Sequence, residues 1–247
     1  MTVGFTSTTF STLQPEEVCD LGAEARADCI EWSDRHITGP ARAQEVASRC
    51  AALGIACCSV GSYYAVGEAD PARWAHICQI ASALGAGFVR VWLGKQGSAQ
   101  TSEEAYAALL ADANQMLRTA ARYDLAIAAE AHPNTYNDTC ETSLRFLRDI
   151  GSPAFATYFQ SLYRDMPMDL DRLARTCAHV RAAHVSFSEV KRNRMLLPKE
   201  DGCVERIVAA LRERGFRGPL LLEFTHRESP KAFLRDMARL RALAGQM

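Results

Sequence analysis

Short apolar runs rich in β-branched and aromatic residues recur along this chain, each followed by a polar loop and then by a stretch with helical spacing. Runs at 3–6, 28–32, 55–60, 88–93, 125–130, 155–160, 180–186 and 220–224 predict eight strands. The segments between them predict amphipathic helices. The clearest spans 102–123, where Tyr106, Leu109, Leu110, Ala113, Met116, Leu117 and Ala120 form one apolar stripe. Thr101 with Glu104 fits a capping box, and Pro15, Pro71 and Pro230 fit first helical turns, the last two behind Asp70 and Ser229 as caps. Gly54, Gly85, Gly151 and Gly215 stand at helix exits.

Eight strands alternating with eight helices, the last over 230–243, predict an α/β chain folded as a single (β/α)8 TIM barrel. No linker or composition break divides residues 1–247, so one domain is expected. Alternation alone also fits a doubly wound open sheet. Two facts favour closure: the count of eight, and the lack of a G-x-G-x-x-G after the first strand.

A formal charge of −1 offers no general attraction to nucleic acid or anionic membrane, and neither partner is expected. No apolar run reaches the roughly 18 residues of a spanning helix, and the first residues lack a signal-peptide pattern. The expected location is the cytoplasm. Nine cysteines without C-x-x-C spacing read as small buried hydrophobes in such a setting. Cys57 and Cys58 are strand neighbours, so they face opposite ways.

The chemistry gathers at strand ends. Glu130, Gln160, His184 and Glu223 close four different predicted strands, and in a barrel all those ends open on one face. A carboxylate ending a buried run needs a partner, a proton or a cation; for Glu130 a salt bridge to Arg90 is the plain alternative. Two carboxylates in one mouth repel each other unless a cation lies between them. A divalent ion held by Glu130, Gln160, His184 and Glu223 resolves this. Glu31, Trp32, His36, Ser62, Tyr63, Tyr64, Arg90, Trp92, Lys95, His132, His226 and Arg227 surround them at neighbouring strand ends. From these, His36, Tyr63, Arg90, Trp92, His132 and His226 are the expected contacts to a polyhydroxy substrate. Trp32, Trp92 and Phe224 also fit simple rim packing. The run Lys191-Arg192-Asn193-Arg194 fits either an anion clamp or a solvated loop.

These residues resemble the xylose isomerase-like barrel superfamily, the sugar phosphate isomerase/epimerase group that includes inosose dehydratases, keto-sugar 3-epimerases and endonuclease IV. The likeness runs through Cys29-Ile30-Glu31-Trp32, Gly61-Ser62-Tyr63-Tyr64, Leu84-Gly85-Ala86, Val89-Arg90-Val91-Trp92, Glu130-Ala131-His132-Pro133-Asn134 and Leu222-Glu223-Phe224. In that group Glu, Asp, His and Glu from four strand ends typically hold the metal. By position Glu130 and Glu223 match the two glutamates and His184 the histidine, with Ser186 the alternative in a shifted register. Gln160 replaces the aspartate, and Tyr163 stands where many relatives carry a second histidine.

The resemblance implies a Mn, Mg or Zn-dependent isomerase or epimerase of a small keto-sugar or polyol derivative. The ion would polarise a carbonyl and stabilise an enediolate while Glu130 and Glu223 move the proton. His132 and Arg90 would hold hydroxyls or the developing oxyanion. A dehydratase sharing the first proton transfer is one alternative. A metal-free, non-catalytic sugar-binding barrel, created by the change to glutamine, is the other. DNA repair does not suit a slightly acidic chain with six histidines. Rim helices of such barrels often pair, so a homo-oligomer is possible.

Overall fold

The computed structural model describes residues 1–161, 166–190, 196–198 and 202–245. Its strands are β1 (Thr2–Thr6), β2 (Cys29–Ser33), β3 (Ala56–Ala65), β4 (Phe88–Trp92), β5 (Ala126–Glu130), β6 (Phe155–Gln160), β7 (Val180–Val185), β8 (Ser188–Val190), β9 (Leu196–Pro198) and β10 (Pro219–Leu222). Its helices are α1 (Pro15–Glu24), α2 (Pro40–Ala52), α3 (Pro71–Leu84), α4 (Glu103–Ala121), α5 (Cys140–Ile150), α6 (Met166–Thr176), α7 (Cys203–Glu213) and α8 (Pro230–Leu243). Eight strands pair in parallel in the closed order β1-β10-β7-β6-β5-β4-β3-β2. Pairing of β1 with both β2 and β10 excludes the open-sheet alternative.

Side-chain alternation sorts the core into two layers. One face of each barrel strand packs beneath the helices, as Val3, Phe5, Ile30, Val89, Ile127, Phe159, Val185 and Leu222 do. The other face fills the lumen with Cys29, Phe88, Ala126, Ala128, Tyr158, Ala182 and Leu221. Three buried lumen positions carry alanine, with Ala156 partly buried beside them, leaving space for the Phe88 and Tyr158 rings. The same parity, continued toward the strand ends, puts Glu31, Arg90, Glu130, Gln160, His184 and Glu223 on the lumen side. Cys57 and Cys58 divide between the two layers as their adjacency requires.

Several boundaries differ from expectation. The third strand runs on to Ala65 because the pairing shifts register between Gly61 and Ala65 and resumes at Ala65–Trp92. The eighth barrel strand stops at Leu222, since Phe224 takes a left-handed φ of 61° that ends extended pairing. An antiparallel pair, β8–β9, lies in the loop after β7, where no strand was expected. The α4 cap is Ser102, whose hydroxyl accepts from Ala105 N, rather than Thr101. Asp70 and Ser229 cap α3 and α8 as expected. Tyr163 and Lys191, Arg192, Asn193 and Arg194 lie outside the described residues. Among the described residues no helix is long and apolar enough to cross a membrane.

Helix α8 seals the junction where the barrel closes. Phe233 is fully buried, with its ring edge-on to Phe5 of β1 at 4.8 Å and to Phe10 at 5.1 Å. Phe233→Ala is expected to destabilise the fold by about 3–5 kcal/mol through lost contacts and a residual cavity. The urea midpoint measures this; a midpoint unchanged from the parent would show that α8 does not secure the closure.

Candidate functional site

Glu130 closes β5, Gln160 closes β6 and His184 lies one residue before the end of β7. Glu223 follows β10 and stays anchored to the barrel because its backbone N–H donates to Val185 O at 2.8 Å. The strand pairing sets Gln160 opposite His184 and Glu130 opposite Tyr158. Glu130, His184 and Glu223 are buried, and each offers a ligand-type atom within 4.8 Å of the others.

Neighbouring donors orient each member. Glu130 Oε2 accepts from Arg90 Nη1 and from Trp92 Nε1, the latter at 2.7 Å. Its other oxygen, Oε1, lies 3.2 Å from His184 Nδ1. Glu223 Oε1 is 3.7 Å from the same nitrogen. The anticipated Arg90–Glu130 ion pair is therefore present, yet it occupies only one oxygen of Glu130.

Gln160 supplies the most telling detail. Its inward amide atom lies 2.5 Å from Glu130 Oε1, 3.0 Å from His184 Nδ1 and 3.2 Å from Glu223 Oε2. Oxygen in that position meets only acceptors, an arrangement a cation relieves. Nitrogen in that position donates to the Glu130 and Glu223 carboxylates, one hydrogen to each. Nitrogen inward suits the ion-free cluster, whereas a bound ion would call for the oxygen. The donor set of two carboxylates, one imidazole and one amide oxygen fits a divalent ion.

Glu31 belongs to this cluster, although sequence reading had placed it only among the surrounding polar groups. Its Oε1 accepts from Arg90 Nε and lies against His184 Nε2, both at 3.2 Å. Its Oε2 accepts from Ser59 Oγ at 3.0 Å and Tyr158 Oη at 2.9 Å. Strand parity alone could have revealed it, since Cys29 and Glu31 share the lumen face. Tyr158 and Ser59 carried no such signal.

The remaining expected contacts separate. Trp92 stacks on His132 at 5.1 Å and meets Tyr63 edge-on at 5.6 Å, making an aromatic wall beside Glu130. His132 Nδ1 lies 2.6 Å from Pro133 O, so this nitrogen carries the proton and Nε2 is left as an acceptor. His36 is half-buried, with Nδ1 3.1 Å from Ser7 Oγ. His226 is half-buried in the turn after β10. Arg90 is only 4 % exposed and its guanidinium is engaged by Glu31 and Glu130, which makes it a structural counter-charge. Lys95 pairs with Glu68 at 3.0 Å, and Trp32 is wholly buried, as rim packing requires. Ser62 and Tyr64 are also buried, bonding to Arg90 O and Asp70 O.

The electrostatics are unequal. Burial pushes the Glu31 and Glu130 carboxyls up, but Arg90 and His184 outweigh it and hold both at about 2. Burial lowers the His184 imidazole, yet Glu223, Glu31 and the hydrogen bonds to Glu130 and Glu31 raise it to about 10. Glu223 is raised by burial, with Glu130 and Glu31 adding to the effect and His184 and Arg90 opposing it.

A family model for the xylose isomerase-like TIM barrel matches residues 19–243. The chain belongs to this family. No curated protein sequence matches it. Among solved structures, the probable 3-DHS dehydratase AsbF of Bacillus anthracis superposes with a TM-score of 0.83 at 13% identity, covering 97% of this chain and 98% of that one. IolI with a bound zinc atom gives 0.79 at 14% identity, covering 99% and 98%. D-psicose 3-epimerase in the presence of D-fructose gives 0.78 at 13% identity, covering 99% and 100%. At these identities the likeness establishes the barrel alone.

The cluster makes the metal-free protein pH-sensitive in a definite sense. His184 rises from 6.5 to about 10, so its stabilisation is complete below pH 6.5 and lost as pH climbs through 10. Glu31 and Glu130 fall from 4.5 to about 2, so theirs is complete above pH 4.5 and lost as pH drops through 2. Glu223, being raised, also favours the fold at the acid end and gives that up above 4.5. Urea midpoints of chelator-treated protein should fall on both sides of the range 4.5–6.5, and His184→Asn should flatten the alkaline fall. An alkaline fall equally steep in that variant would contradict the assignment.

Proposed function

We propose that this chain is a divalent-metal-dependent isomerase or epimerase of a small keto-sugar or polyol derivative. The observation that carries the reading is the convergence of Glu130, His184 and Glu223, with the Gln160 amide, at the carboxyl end of the barrel. Glu130 through Oε1, Gln160 through its amide oxygen, His184 through Nδ1 and Glu223 would hold the ion. When bound, a divalent ion polarises a substrate carbonyl and offsets the negative charge that develops on its oxygen.

The chain's own groups divide the remaining work. Against the cost of burial, Glu130 is kept anionic by Arg90 and His184 and is held in place by Arg90 and Trp92, so it is anchored and a weak base. Glu223 faces no such donor pair and its carboxyl is raised, which makes it the better acceptor for a proton on the carbon beside the carbonyl. In epimerisation a proton must also arrive at the other face of that carbon; Glu130 is the second carboxyl there and, being anionic, would first take up that proton from solvent before passing it on. The Trp92, Tyr63 and His132 wall suits the C–H face of a sugar, and His132 Nε2 can accept from a hydroxyl. His36 and His226 are the outlying substrate contacts in this reading. The barrel neighbours support sugar chemistry: they include two epimerases, D-psicose 3-epimerase and the 3-keto-D-glucoside 4-epimerase of E. coli.

One observation favours a second reading, a sugar-binding barrel without metal. The inward Gln160 nitrogen can donate to the Glu130 and Glu223 carboxylates and so takes the place of an ion between them. Dehydration is the other outcome of the same first proton transfer.

One experiment separates the three. Keto-sugars are incubated in D2O with chelator-stripped protein, with and without Mn2+. Deuterium entering the carbon beside the carbonyl with no loss of water, only with Mn2+, supports the proposal. Loss of water indicates a dehydratase, no exchange under either condition indicates the binding barrel, and full exchange without any metal contradicts metal dependence. Glu223→Gln should slow the exchange by roughly 10²–10⁴-fold, the usual contribution of a placed base.

A further inference from the structure

We propose that Glu31 is the positioning residue for His184: it accepts the Nε2 proton and thereby presents the Nδ1 lone pair to the ion site. The proposal rests on the metal-dependent reading above. Glu31 is 2 % exposed and sits on the lumen side of His184, away from Glu130, Gln160 and Glu223. It has no direct route to substrate, so any effect must pass through the imidazole.

The hydrogen-bond roles leave little choice. A carboxylate only accepts, and guanidinium only donates. Arg90 Nε donates to Oε1, while Ser59 and Tyr158 donate to Oε2. The nitrogen of His184 that faces Oε1 must therefore carry a proton. With Nε2 protonated, the neutral ring holds its lone pair on Nδ1, which points at Glu130 Oε1, the Gln160 amide and Glu223. A carboxylate behind a ligating imidazole fixes its tautomer and strengthens it as a donor to metal.

The backbone is adapted to this pairing. A Cβ at position 61 would come within 2.7 Å of Glu31 Oε1 and 2.9 Å of Arg90 Nη2. Glycine at 61 lets the Glu31–Arg90 pair lie against β3. The anchoring is redundant as well: Tyr158 and Ser59 hold the far oxygen, so the carboxylate cannot swing toward the ion site without breaking two hydrogen bonds.

The test uses Co2+ as the probe with wild-type protein and Glu31→Gln. A single imidazole ligand bound through Nδ1 gives one solvent-exchangeable, paramagnetically shifted proton, the Nε2–H. In wild type this signal should be present and slow to exchange with D2O, because His184 is fully buried. In Glu31→Gln the Co2+ dissociation constant should rise about 10–100-fold, and the shifted proton should move and exchange faster. The metal-free melting temperatures serve as the control for folding. If Glu31→Gln does not fold, Glu31→Asp, which keeps the charge but shortens its reach, is judged by the same two signals. Equal affinity and an unmoved proton in the variant would overturn the role of Glu31 alone. Wild-type protein that takes up no Co2+ would overturn the metal reading, and this proposal with it.

Discussion

Charge balance at the top of the lumen constrains everything around it. Glu31, Glu130 and Glu223 bring three negative charges into a buried space, and Arg90 supplies one positive charge, leaving an excess of two. A buried excess of that size is not sustained. Two solutions are available from the groups present. Protons can sit on His184 and Glu223, the two members whose affinity for protons is raised. A divalent cation can take their place, held by the same atoms. In the proposed metal-dependent reading, ion and protons would compete for one pocket.

The fold makes this crowding possible. Parallel strands with a two-residue repeat deliver Glu31, Arg90, Glu130, Gln160, His184 and Glu223 to one level, each from its own strand or the residue just past it. Below them the alanine-rich lumen is plugged by Phe88 and Tyr158, so water is excluded from beneath. Tyr158 then serves twice, as packing and as a donor to Glu31. Burial pushes its hydroxyl well above the ordinary range, which keeps it protonated and donating. Gly61 gives the room in which the central ion pair fits.

Much of this was legible from the chain. Eight apolar runs, their proline starts and glycine exits were enough for the alternating elements, because each signal is local; the count of eight favoured closure, which the β1–β10 pairing decides. The strand-end positions of Glu130, Gln160 and His184 were equally readable. Glu223 was expected on the last strand and instead follows it, since the left-handed Phe224 ends extended pairing there. Arg90 was grouped with the substrate contacts, yet its position between Glu31 and Glu130 depends on three strands meeting across the lumen, which periodicity cannot report. The same holds for Ser59 and Tyr158. Glu31 stood in plain view, but its role depends on which nitrogen of His184 it meets. The β8–β9 pairing escaped notice because segments of three residues carry too little pattern to register.

The exchange of protons for an ion is the claim on which this account stands. Calorimetric titration of stripped protein with Mn2+ at pH 6, repeated in buffers of different ionisation enthalpy, counts the protons that leave. Between one and two should be released per ion bound, and His184→Asn should release about one fewer, as metal binding to protonated ligands requires. Binding with no proton release, or no binding at all, would contradict it.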